Sequence, residues 1–124
     1  MQSFRELNCW KEAREFRNII FELTQRFPSD EKYRLTDQII RSSRGIGNAV
    51  AEGHGRYHFQ ENIQYCRIGR GSLEESLDHL ITALDCRYIS QSEFNEYEQK
   101  YKSILALLNG YIAYLKKRKG GETN

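Results

Sequence analysis

Apolar residues recur at steps of three and four along almost the whole chain, and that spacing constrains the fold more than any other feature. The first stripe is Phe4, Leu7, Trp10, Ala13, Phe16, Ile20, Leu23 and Phe27, and the second is Leu35, Ile39, Ile46 and Val50. The third is Phe59, Ile63, Cys66, Leu73, Leu77, Leu80, Ile81 and Leu84, and the fourth is Phe94, Tyr97, Tyr101, Ile104, Leu105, Leu108, Ile112 and Leu115. A 3.6-residue period gathers each set on one side of a helix, so each segment has a face to bury against another. No stretch alternates with period two between turn pairs, so no strand is predicted. The fold class is all-α.

Breakers and caps divide the stripes. Ser3-Phe4-Arg5-Glu6 has capping-box spacing, with Asn8 as the cap of a slightly shorter first helix. Pro28 denies helical geometry to the residue before it, and Ser29 and Asp30 offer oxygens to the next helix. Gly53-His54-Gly55 supplies a left-handed C-cap for the second helix, and Ser90-Gln91-Ser92-Glu93 is a second capping box. Four helices of roughly 18–28 residues with short connections favour antiparallel neighbours, hence an up-down-up-down antiparallel four-helix bundle. The bundle is expected over residues 1–119, with a disordered tail over 120–124.

Two segments carry small residues where a core would be large: Ser42, Ser43, Gly45, Gly47 and Ala49 in the second, and Gly69, Gly71 and Ser72 in the third. A glycine inside a helix costs about 0.5–1 kcal/mol relative to alanine, so these positions need a reason in packing. Two small patches that face each other would let backbones approach closely.

The 124 residues suffice for one core, and 39% hydrophobic with 29% charged excludes both a disordered chain and a membrane-embedded one. Arg5, Lys11, Arg14 and Arg17 interrupt every candidate signal or membrane-spanning window, so a cytoplasmic location with no membrane partner is expected. Cys9, Cys66 and Cys86 are odd in number and widely spaced, which suits buried reduced thiols better than disulfides or zinc.

Enzymatic chemistry finds little support. A di-iron bundle needs Glu-x-x-His on two helices, whereas Glu75 and His79 stand four apart and His54 and His58 flank a turn. Ser42, Ser43 and Ser72 have no histidine placed by spacing, and the Gly45-x-Gly47 and Gly69-x-Gly71 pairs lack a preceding strand and a Walker lysine. No catalytic residue, metal or cofactor is expected.

Basic residues offer more. Arg41, Arg44, Arg56, Arg67 and Arg70 crowd the middle of the chain, and Lys116, Lys117, Arg118 and Lys119 close the last helix. Such clusters bind phosphate backbones, yet Arg41 stands four residues after Asp37 and Arg70 four before Glu74, so both could instead be paired within their helices. With 19 basic against 17 acidic residues, the formal charge of +2 does not decide. Tyr97, Tyr101, Tyr111 and Tyr114 suggest a second, partly apolar face suited to oligomerisation or to a protein partner.

Several of these residues fall into a recognisable order. Leu35-Thr36-Asp37-Gln38-Ile39, then Arg41, Ile46, Val50-Ala51-Glu52-Gly53 and Arg56, followed by Gly71-Ser72-Leu73-Glu74-Glu75, resembles the signature of the four-helix proteins encoded in rRNA intervening sequences. Phe4 to Trp10 and Phe27-Pro28 resemble that family's opening helix, while Gly45 and Ala49 stand where it usually has serine and asparagine. Members are similar in fold to the accessory variability protein of diversity-generating retroelements. The resemblance implies a homopentamer, RNA or DNA as ligand, and a protein partner such as a reverse transcriptase. The matched polar residues Gln38, Glu52, Ser72 and Glu75 lie beside apolar stripes, where they are expected to fix helix register through inter-helix hydrogen bonds, with Arg41 among the partners.

Overall fold

The computed structural model describes residues 3–122. It contains four α-helices, α1 (Asn8–Thr24), α2 (Leu35–His54), α3 (Phe59–Asp85) and α4 (Gln91–Glu122), and no strand among the described residues. Each helix packs on the next and α1 also meets α4, while α1 and α3 stand diagonally opposed. Cross-helix contacts run in opposite senses at each seam: Gly47 lies against Trp10 and Arg44 over Phe21, Gly45 faces Ser72 and Gly53 faces Asn62, and Asn62 bonds Tyr111 while Glu74 bonds Tyr101. This is the antiparallel four-helix bundle that the stripes predict.

The stripes become the core. Ala13, Phe16, Ile20, Ile39, Ile46, Val50, Leu73, Leu80, Ile104 and Leu108 are buried almost completely, and Ile63, Cys66, Ile112 and Leu115 fill the end where α3 begins and α4 finishes. The two small patches do face each other. A Cβ on Gly45 would stand 3.0 Å from the Ser72 hydroxyl, and one on Gly69 would stand 3.2 Å from the Ile46 carbonyl oxygen. Gly47 and Gly71 differ, since a Cβ on Gly47 would meet Trp10 and Ala13 of α1 and the Cβ position of Gly71 is open.

The helix ends depart from expectation more than the helix bodies do. Ser3 caps a 3₁₀ turn at Phe4–Glu6, accepting from the Arg5 amide at 3.2 Å, and α1 itself starts at Asn8 behind Leu7 with no side-chain cap. α1 stops at Thr24, before Pro28 is reached, because residues 25–27 tighten into bonds to the third residue back. The α2 amide of Leu35 is capped by Glu31 at 3.3 Å, not by Ser29 or Asp30. Gly55 is right-handed (φ −72°), and the left-handed residue of that connection is Tyr57 at φ 54°. The second capping box forms as expected: Ser90 Oγ accepts from the Glu93 amide at 3.1 Å and Glu93 Oε1 accepts from the Ser90 amide at 3.0 Å. α4 continues through Gly120 and Gly121, so the expected tail is helical as far as Glu122; Thr123 and Asn124 lie outside the described residues.

The tyrosines of α4 do not form an open face. Tyr97, Tyr101 and Tyr111 pack against the core, and of the four only Tyr114 is largely exposed, at 54%. No described helix is long and apolar enough to cross a membrane.

Candidate nucleic-acid interface

Along α3, residues 60, 63, 67, 70 and 74 follow the three-and-four spacing of one helix edge, and that edge runs beside α4. Three bonded pairs and one pair of cations face one another across it. Gln60 accepts from the Lys119 ammonium, Arg67 stands opposite Lys116, Arg70 donates to Asn109 Oδ1 at 2.8 Å, and Glu74 accepts the Tyr101 hydroxyl. The last bond pushes the Tyr101 phenol up to about 12, because the carboxylate favours the protonated hydroxyl. Between the first two pairs lies a solvent-open cleft of about 330 Å³ lined by Gln60, Ile63, Arg67, Lys116, Lys119 and Gly120. Neither Arg67 nor Lys116 has a carboxylate within ion-pair distance among the described residues. Lys117 and Arg118 are exposed on the same turn of α4 but do not line the cleft. The Arg70–Glu74 pair that spacing suggests does not form, since each turns to a partner on α4.

The other predicted arginines lie elsewhere. Arg41 is 78% exposed in its side chain and stands 3.5 Å from Asp37, the intrahelical pair that spacing suggests. Arg56 is spent locally: it bonds Glu52 at 3.0 Å and the Tyr65 hydroxyl at 2.7 Å, and its guanidinium lies over the Tyr65 ring. The Glu52 bond, helped by Tyr65, holds it more firmly in its charged form. Arg44 crosses to α1 and covers Phe21 with a guanidinium-to-centroid distance of 5.6 Å. Five arginines that are neighbours in sequence are thus divided among separate edges of the bundle.

Sequence reasoning passed over Arg14 and Arg17, whose guanidinium centres lie 5.7 and 5.9 Å from the Trp10 ring centroid. Arg17 and Arg44 share a second groove, of about 610 Å³, between α1 and α2. The signal was present as Arg14, Arg17 and Phe21 at three-and-four spacing off the buried stripe.

The expected register-fixing residues are not the ones that fix it. Gln38, Glu52 and Glu75 are exposed, and Glu52 and Glu75 bond Arg56 and His79 in their own neighbourhoods. Ser72 contributes its carbonyl, not its hydroxyl, by accepting from Ser76 at 2.9 Å. The inter-helix pairs away from solvent are the buried Ser76 with Ser42, 2.9 Å between hydroxyl oxygens, and the half-buried pair of Asn62 with Tyr111 at 3.1 Å. Exposed polar side chains keep their hydration, whereas a small buried hydroxyl must find a partner on its own helix or across the seam, and Ser42 and Ser76 do both. Cys9 and Cys66 are buried, with thiols pushed up to about 11 and about 12 by loss of solvent, whereas Cys86 is exposed at the end of α3, contrary to expectation.

Residues 5–110 match the sequence profile described as 23S rRNA-intervening sequence protein. The chain belongs to the 23S rRNA-intervening sequence protein family. For a member of that family the match divides the basic cleft in an informative way, since Arg67 lies inside the matched span and Lys116 and Lys119 lie beyond it. A solved structure from Bacteroides thetaiotaomicron, a protein of unknown function from the S23 ribosomal protein family, has the same fold. Its TM-score is 0.77 at 21% identity, with 84% of this chain and 97% of that chain covered. No curated protein matches the chain.

Proposed function

We propose that this member of the 23S rRNA-intervening sequence protein family is a non-enzymatic, oligomeric bundle that binds RNA or DNA along the α3/α4 edge. The observation that carries the reading is the cleft in which Arg67 and Lys116, both without an acidic partner, converge with Lys119. A guanidinium offers a planar fork to a phosphate and an ammonium offers a compact charge, so the pair suits a polyanion whose phosphates pass along a groove. Arg70 extends the edge by one turn, and Lys117 and Arg118 add charge at its rim. A homopentamer, as the family resemblance implies, would repeat this edge five times while the charge per chain stays at +2.

The test is retention of a short RNA duplex and a DNA duplex across a salt series. Three phosphates neutralised per chain give a log–log slope of about −2.7. Reversing charge at Arg67 and Lys116 together abolishes retention, and reversing it at Arg41 leaves it nearly intact. Absence of binding to either duplex at low salt would sink the proposal.

A further inference from the structure

We infer that the groove between α1 and α2, on a different edge from the α3/α4 cleft, holds an unpaired nucleotide base, which makes the protein a reader of single-stranded segments. The inference takes its ligand class from the reading above but rests on different residues. The groove is about 610 Å³ in volume and lined by Arg17, Asn18, Phe21, Glu22, Arg44 and Asn48. Phe21 remains 44% exposed on the outer side of α1, an aromatic ring that the core does not use. Arg44 reaches from α2 to lie 5.6 Å over that ring. The guanidinium centre and the exposed ring thus begin a column in a groove that is open to solvent. A base can extend the column, because arginine planes and aromatic rings both stack on nucleobases.

The surrounding groups complete what such a ligand needs. Arg17 and Arg44 have no ion-pair partner among the described residues, so their charge is available to the phosphate that accompanies the base. The amides of Asn18 and Asn48 make no hydrogen bond there and each offers a donor and an acceptor, the combination that pairs with base edges. Glu22 is the one carboxylate in the lining and suits an exocyclic amino group better than a phosphate. A base inside a duplex has both faces covered by its neighbours, so the column selects bases that are unpaired.

The experiment measures binding of a labelled mixed-sequence RNA octamer, the same octamer annealed to its complement, and an octamer of abasic nucleotides. The variants are Phe21→Leu, Arg44→Lys and the Arg67→Glu, Lys116→Glu pair, each checked by thermal melting. Phe21→Leu keeps apolar bulk without the ring, and Arg44→Lys keeps the charge without the plane. Each is expected to weaken single-strand binding roughly five- to 150-fold while duplex binding is unchanged. The abasic octamer should not distinguish either variant from the parent. Single-strand affinity equal to the parent's in both variants overturns the inference and leaves the α3/α4 reading standing. Failure of the parent protein to bind either octamer form overturns both.

Discussion

The seam between α2 and α3 and the seam between α1 and α4 are built on opposite plans. At the first, Gly45, Gly53 and Gly69 let backbone and side chain meet so closely that added Cβ atoms would stand 2.7–3.2 Å from their neighbours, and a buried Ser42–Ser76 hydroxyl pair crosses the seam. At the second, the helices touch least of the four neighbouring pairs, and grooves run along them beside Leu7, Glu12, Ser103, Leu107 and Gly110. An ion pair outside the core, Arg26 to Glu93 at 2.6 Å, ties the far end. One seam is therefore fixed by shape and neutral hydrogen bonding, the other by apolar contact along its length and charge at one end. Shape tolerates pH and salt but not volume. Charge has the reverse sensitivities.

The sharpest way to break this contrast is to add one methyl group at the tight seam. A Cβ on Gly53 would lie 2.7 Å from Tyr65 Cβ, 2.9 Å from Asn62 Oδ1 and 3.1 Å from the Asn62 carbonyl oxygen, and two of these atoms cannot swing away. Gly53→Ala is expected to destabilise by about 1–3 kcal/mol, measured as a lower urea midpoint at unchanged slope. A midpoint equal to that of the parent would show that the seam relaxes and that its closeness is not structural. Next in size is Ser76→Ala, which removes the hydroxyl that bonds both Ser42 and the Ser72 carbonyl and should cost about 1 kcal/mol. The Ser42→Ala, Ser76→Ala double variant should cost clearly less than the sum of the single changes, since both remove the same bond. Full additivity would mean that the pair does not couple the helices.

These two expectations mark what could be read from sequence. The stripes name most of the core because helical period is local, although Ile81 of the third stripe is 40% exposed, and the small patches name the close seam because a buried glycine has few other uses. Helix ends were less legible. Thr24, Leu35 and Tyr57 sit where they do because of connections whose geometry depends on the next helix, and Tyr57 is left-handed although glycines stand two and four residues before it. The polar residues that hold register were misassigned because period fixes a residue's own face but not which helix covers its flank. Gln38 and Glu75 fall just outside that cover, and Ser76 and Asn62 just inside. The same limit dispersed the arginines. Arg67 and Lys116 meet only when α4 folds back on α3, and Arg17 and Arg44 only when α2 folds back on α1.

At the loose seam the same substitution has the opposite sign. A Cβ on Gly110 would meet nothing within 4 Å, so this glycine contributes the helical penalty without the packing that justifies Gly53. Gly110→Ala is expected to stabilise by about 0.5–1 kcal/mol, through loss of backbone freedom in the unfolded chain. A destabilised variant would show that the groove beside Gly110 is occupied in solution, by another copy or by a partner.

The smallest effect is the acid response of the ion pair. Hydrogen bonding to Arg26, reinforced by the Ser90 amide, lowers the Glu93 carboxyl from 4.5 to about 2. A carboxyl with a depressed folded value stabilises the folded state above its unfolded value, and that contribution is lost as the proton returns. Stability from this contact should therefore be complete above about pH 4.5 and decline as pH falls towards about 2. The effect is slight because the Arg26 and Glu93 side chains are 52% and 33% exposed, so solvent screens the pair. Carboxyl carbon shifts followed by NMR isolate it from the other acids. Glu93 should titrate near 2 in the parent protein and move upward in Arg26→Ala, whereas the stability lost in Ser76→Ala should not vary with pH over that range. An unchanged Glu93 midpoint in Arg26→Ala would assign the shift to the helix cap alone, and the α1/α4 seam would then have no electrostatic tie at that end.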